Sequence, residues 1–192
     1  MPLCAMVLLG LLSSAGAHTS ATGFFPHAIV LADFNHDGHV DMAVPASAER
    51  QVTVLLGDGK GGILSSRTYP VGQGPTWIDV ADFNGDGRLD FVVTNTGEGS
   101  LTLYFGNGEG DFAARQDIAG IHGPVSVVAA DFSGDGLPDL AVAQAKRSAV
   151  ALLLNQGAGK FTLVQTYNVG RGAPHPLQSR PQRGWLPRRD FG

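Results

Sequence analysis

Asp82-Phe83-Asn84-Gly85-Asp86-Gly87-Arg88-Leu89-Asp90 decides how the rest of the chain reads. Side-chain oxygens stand at positions one, three, five and nine, and position six is a glycine where the backbone must turn sharply. Carboxylates this close in sequence repel one another unless a cation sits among them, so the pattern predicts a cage for a hard divalent ion. The same spacing stands at Asp33-Phe34-Asn35-His36-Asp37-Gly38-His39-Val40-Asp41 and at Asp131-Phe132-Ser133-Gly134-Asp135-Gly136-Leu137-Pro138-Asp139. Each copy begins 49 residues after the one before.

Aligned at that period, the flanking residues repeat as well. Ile29 to Phe34 matches Ile78 to Phe83 and Val127 to Phe132. An apolar run follows each loop, at Val40 to Val44, Leu89 to Val93 and Leu140 to Ala143. A third run covers Gln51 to Leu56, Ser100 to Phe105 and Ala149 to Leu154, and a Gly-rich turn follows each. The fourth run is more polar: Ile63 to Tyr69, Phe112 to Ile118 and Phe161 to Val169. Four short strands per unit joined by hairpin-length turns make a four-stranded antiparallel sheet, and such sheets in tandem are propeller blades. The second and third strands are expected to be buried on both faces and the fourth to lie at the rim.

Composition agrees with an all-β chain. Of 192 residues 43% are hydrophobic and 27 are glycine, mostly clustered between runs of Val, Leu, Ile, Phe and Thr, and no stretch reads as an amphipathic helix. The net charge is −4, and nine of the acids in residues 18–170 belong to the three loops. Apart from those nine carboxylates that segment nearly balances, with seven acids against eight bases, which suits bound cations and argues against a nucleic-acid surface.

The loops begin like EF-hands, but position twelve is Val44, Val93 or Val142 where a bidentate Glu should stand, and no helix flanks them. What they resemble is the FG-GAP/VCBS repeat, the blade unit of integrin-α-like β-propellers, over roughly residues 24–170 (24–72, 73–121 and 122–170). The resemblance implies up to three structural Ca²⁺ ions bound between strands one and two. The ligands would be the side chains of Asp33, Asn35, Asp37 and Asp41 with the carbonyl of His39; Asp82, Asn84, Asp86 and Asp90 with that of Arg88; and Asp131, Ser133, Asp135 and Asp139 with that of Leu137. Asp, Asn and Gly also favour plain turns, but turn chemistry alone gives no use for a carboxylate at position nine.

Other motifs lead nowhere catalytic. Gly57-Asp58-Gly59-Lys60-Gly61-Gly62 spells a dinucleotide fingerprint, yet its third glycine is lost one period on and Ile63 opens a strand, so a hairpin turn is expected. His36 and His39 fill variable loop positions and read as a surface pair. Trp77, Tyr104 and the phenylalanines read as core or blade-contact residues. No nucleophile elbow or H-E-x-x-H helix appears.

Residues 1–17 carry an apolar run from Ala5 to Leu12 and then small residues, which reads as a secretory leader, leaving Cys4 out of the mature chain. Residues 171–192 are Pro- and Arg-rich, and the fourth loop expected at 180–188 is missing. Gln182 to Arg189 read one base later can encode Asn-Gly-Asp-Gly-Phe-Pro-Asp, so a frameshifted fourth repeat is the expectation, which the nucleotide sequence decides. Three blades should not close a ring, so further blades or a partner are needed. The sequence thus predicts a partial β-propeller, secreted or at the cell surface, with no membrane span and no catalysis, that binds calcium and meets a protein or glycan. The competing readings are a fragment of a propeller lyase or hydrolase whose catalytic residues lie in missing blades, and a non-functional truncated product.

Overall fold

The computed structural model describes Gly23 and residues 25–170. The leader expected over 1–17 and the irregular segment 171–192 lie outside the described residues. Three four-stranded antiparallel sheets follow one another, each in sequence order. The first holds β1 (Val30–Ala32), β2 (Asp41–Ala46), β3 (Gln51–Gly57) and β4 (Ile63–Pro70). The second holds β5 (Pro75–Ala81), β6 (Asp90–Asn95), β7 (Ser100–Phe105) and β8 (Ala114–Ala119). The third holds β9 (Pro124–Ala130), β10 (Asp139–Gln144), β11 (Ala149–Asn155) and β12 (Phe161–Asn168). These are blades of a partial β-propeller, and among the described residues no helix is long and apolar enough to cross a membrane.

Register repeats with the sequence. Ala32 faces Asp41, Ala81 faces Asp90 and Ala130 faces Asp139, so the ninth loop residue opens the second strand in every blade. Because side chains alternate across a strand, the middle sheet can feed two cores at once. Phe91, Val93 and Tyr104 enter a cluster with Val52, Val54 and Tyr69 of the first blade. Val92, Leu101 and Leu103 turn the other way onto Leu140, Val142 and Leu153 of the third. Every residue of β6 is therefore buried.

The structure differs from the sequence reading at three aromatics, one of which, Phe25, lies ahead of β1 and is 73% exposed instead of joining the core. The fourth strand of the second blade starts at Ala114 and not at Phe112, because the Phe112 side chain is committed to the core, 4.8 Å from the Phe91 ring and 5.4 Å from Phe34. Trp77 is 42% exposed. Alternation along β5 gives the buried face to Ile78 and leaves the indole at the surface.

Candidate metal centres

The three loops occupy the turn between the first two strands of each blade, beside the hairpin that joins strands three and four. Each is wound around its first aspartate. Asp82 accepts the amide hydrogens of Gly85 (2.7 Å) and Asp86 (3.1 Å) on Oδ1 and of Gly87 (2.7 Å) on Oδ2. Asp33 takes those of Asp37 (3.1 Å) and Gly38 (2.9 Å), and Asp131 those of Gly134 (2.6 Å) and Gly136 (2.9 Å). Position three reinforces the turn, since Asn35 and Asn84 each accept the amide of position five and donate Nδ2–H to its carboxylate. Ser133 is too short to do both and reaches Asp131 Oδ1 instead, at 3.4 Å. Position five holds the amide of position seven: His39 on Asp37, Arg88 on Asp86, Leu137 on Asp135.

Winding so tightly requires a left-handed residue at position four. Gly85 (φ 79°) and Gly134 (φ 81°) supply it freely, but the first loop places His36 there at φ 58°. A left-handed conformation costs an L-residue roughly 1–2 kcal/mol, against the extra chain entropy a glycine loses on folding. His36→Gly should therefore raise stability by up to about 1 kcal/mol, read as a higher urea midpoint at unchanged slope. A lowered midpoint would mean the imidazole makes a compensating contact. The His39 ring lies over the hairpin at Gly59.

Position nine behaves differently from the other three. Asp41, Asp90 and Asp139 are fully buried. Asp90 takes the amide of Phe83 on Oδ2 (2.8 Å) and that of Gly106, just past the end of β7, on Oδ1 (2.9 Å). Asp41 does the same with Phe34 and Gly57, and Asp139 with Phe132, Ser133 and Asn155. One carboxylate thus ties the loop's entrance to the third strand. The premise that a bare turn has no use for a ninth-position acid does not hold: the acid is a backbone clamp whether or not a cation is near.

The electrostatics divide along the same line. Asp37 sits below the ordinary carboxylate range because the His39 amide and then the Asn35 side chain bond its anion, and Asp131 does so through the amides of Gly136 and Gly134. Burial pushes Asp90 up to about 6 against the pull of the Gly106 and Phe83 amides, and the charges of Asp86 and Asp82 add to the rise. Among the described residues no three Asp, Glu, His or Cys side chains converge as a finished metal cluster. The donor set in each loop is nonetheless all oxygen, the kind Ca²⁺ and Mg²⁺ take and softer metals do not favour.

Sequence reasoning passed over Asp79. It stands where the other repeats have Val30 and Val128, and that break in the period is the signal that could have found it. Its Oδ1 accepts the amide of Val80 (2.9 Å) and its Oδ2 that of Ala129 (2.8 Å), repeat-equivalent amides on the first strands of adjacent blades. At the preceding junction Asp111 bonds the Tyr69 hydroxyl (2.7 Å) and pairs with Arg67 (2.8 Å), again across blades.

The sequence profile of the FG-GAP-like repeat matches residues 46–93 and 82–142, together just over half of the chain. The chain belongs to the FG-GAP-like repeat family. The matched spans include the second and third loops, and the first loop precedes them. Two solved structures share the arrangement of this FG-GAP-like chain. One is a lectin of Agrocybe aegerita described for specific recognition of non-reducing terminal N-acetylglucosamine, at 20% identity and a TM-score of 0.50, covering 73% of this chain and 38% of the lectin. The other is BBS1N in complex with ARL6DN, at 16% identity and a TM-score of 0.53, covering 82% of this chain and 43% of that one. At such identities the likeness concerns the fold alone, and the FG-GAP-like chain spans less than half the length of either. No curated protein matches it.

Proposed function

We propose that this β-propeller repeat module is a secreted, calcium-binding and non-catalytic unit that presents its loops to a protein or glycan. The observation that carries the reading is the recurrence, at one end of three successive blades, of a turn closed by carboxylates at positions one and five above a clamped carboxylate at nine. Positions one, three and five, with the carbonyl of position seven, would hold the ion; both ninth-position oxygens of Asp41 and Asp90, and Oδ1 of Asp139, keep a lone pair beyond the single amide bond each accepts, whereas Asp139 Oδ2 accepts two amides. The cation supplies charge neutralisation. Both oxygens of Asp79, the acid that breaks the repeat, accept backbone amides of adjacent first strands, which supports a structural use of that residue.

A cation that binds only the folded state must stabilise it. For extracellular-type sites with Kd on the order of 10⁻⁴–10⁻³ M, 1 mM calcium adds about 0.4–1.4 kcal/mol per loop that binds. Thermal unfolding in 1 mM calcium and in EDTA should separate by several degrees, and the triple variant D37A/D86A/D135A, altered at exposed positions, should lose the separation while staying folded. Coincident melting curves for the unaltered protein would remove the metal from the account.

A further inference from the structure

The two ends of the blade stack carry complementary halves of the junction that the chain builds twice internally. At the first junction Ala43, Val52, Val54, Tyr69 and Val71 of the first blade are 0–7% exposed against the second. Two periods on, the third blade presents Ala141, Val150, Leu152, Tyr167 and Val169 on the corresponding face, with Tyr167 40% and Val169 66% exposed. The opposite half is equally clear. The second blade receives the first on Ile78, Leu89, Phe91 and Phe112, whose counterparts one period earlier are Ile29, Val40, Met42 and Ile63. Of these, Ile29 is 38% and Val40 62% exposed.

A cleft of about 420 Å³ marks this second face, with Val40, Met42, Gly57, Gly61 and Ile63 on its walls. Their repeat equivalents, Leu89, Phe91, Gly106, Gly110 and Phe112, form the seat for two side chains of the first blade. Phe34 enters it with its ring 5.4 Å from Phe112 and its carbonyl bonded by the Gly110 amide, and Leu56 covers Gly110. Nothing lies within 4 Å of the Cβ position of Gly61. The cleft is the same seat on the first blade, open to solvent.

We infer that a second copy of this chain occupies both faces, the third blade of each copy seating on the first blade of the other, to give a two-fold ring of six blades. Neither open face matches itself, and each matches the other, so a single additional copy satisfies both through two equal junctions. Six lies within the four to eight blades at which propellers close. The sequence of residues 171–192, with five arginines and no alternating apolar run, lacks the face such a junction requires. Two of the polar side-chain cross-links of the internal junctions are missing from the new one. Ser47 and Thr96 donate to the carbonyls of Pro75 and Pro124, but Ala145 stands in their place, and Gly62 stands where Asp111 receives Tyr69. The inter-copy junction therefore rests more heavily on apolar contact than the internal ones and is weaker than they are. The inference does not rest on calcium binding, so the test is run both in calcium and in EDTA.

Light scattering on the full chain after size exclusion, at micromolar concentration, should give twice the 20.0 kDa of one copy. Val40→Asp and Tyr167→Asp, one on each face and both at exposed positions, should each halve that mass with an unchanged far-ultraviolet dichroism spectrum. Leu31→Asp, at the position paired with Met42 and one period before Val80 of the first junction, and Val169→Asp, both exposed, repeat the comparison should either first variant misfold. A monomer, a doubled mass that survives a substitution on either face, or open assemblies larger than two copies would each overturn the ring.

Discussion

Asp90→Ala should cost roughly 2–6 kcal/mol of folding stability, because it strands two buried amide donors at about 1–3 kcal/mol each. Phe83 and Gly106 lose the acceptor they share, at a site with no exposure to water. Urea unfolding in EDTA measures this clamp without a metal contribution. Asp90→Asn sharpens the comparison, since an amide in place of the carboxylate keeps one acceptor and turns a donor toward the other N–H. If the loss for Asp90→Asn is the same in calcium and in EDTA, the residue acts as a clamp; a larger loss in calcium adds a ligand role. An Asp90→Ala protein within 1 kcal/mol of the unaltered one would refute the assignment.

Phe91→Ala comes next, at about 3–5 kcal/mol for deletion of a fully buried ring. Phe91 is 0% exposed and packs against Tyr104 at 5.2 Å, Phe112 at 4.8 Å and Tyr69 of the neighbouring blade at 6.1 Å. The loss falls on the junction as much as on the blade, so amide exchange in β3 should accelerate along with that in β6. Trp77→Ala, at an exposed indole, should stay within about 0.5 kcal/mol and serves as the control. An equal effect for the two would mean that the aromatic cluster does not hold the blades together.

The succession of four-stranded sheets was legible because two signals with different causes fall in step. Strand alternation reports which face is buried, and the Asp-rich turns report where the chain reverses. Their coincidence every 49 residues fixed the sheet order before any coordinates. The duty of position nine was not legible, because an aspartate that accepts amide hydrogens and one that binds a cation carry the same letter. Which job it does depends on the end of β7 arriving from sixteen residues away. Trp77 misled for a related reason: a large apolar residue inside a strand has two faces to choose from, and Ile78 had already taken the buried one.

Chains made of near-copies face a hazard during folding, that units pair in the wrong order because their faces look alike. Asp79 discriminates between neighbours. A first blade docked where the second belongs would set Val30 opposite Ala129 and leave that amide without its acceptor, a penalty of about 1–3 kcal/mol if the amide is sealed from water. A single departure from the repeat thus labels one seam of the stack and biases assembly toward the native succession of blades.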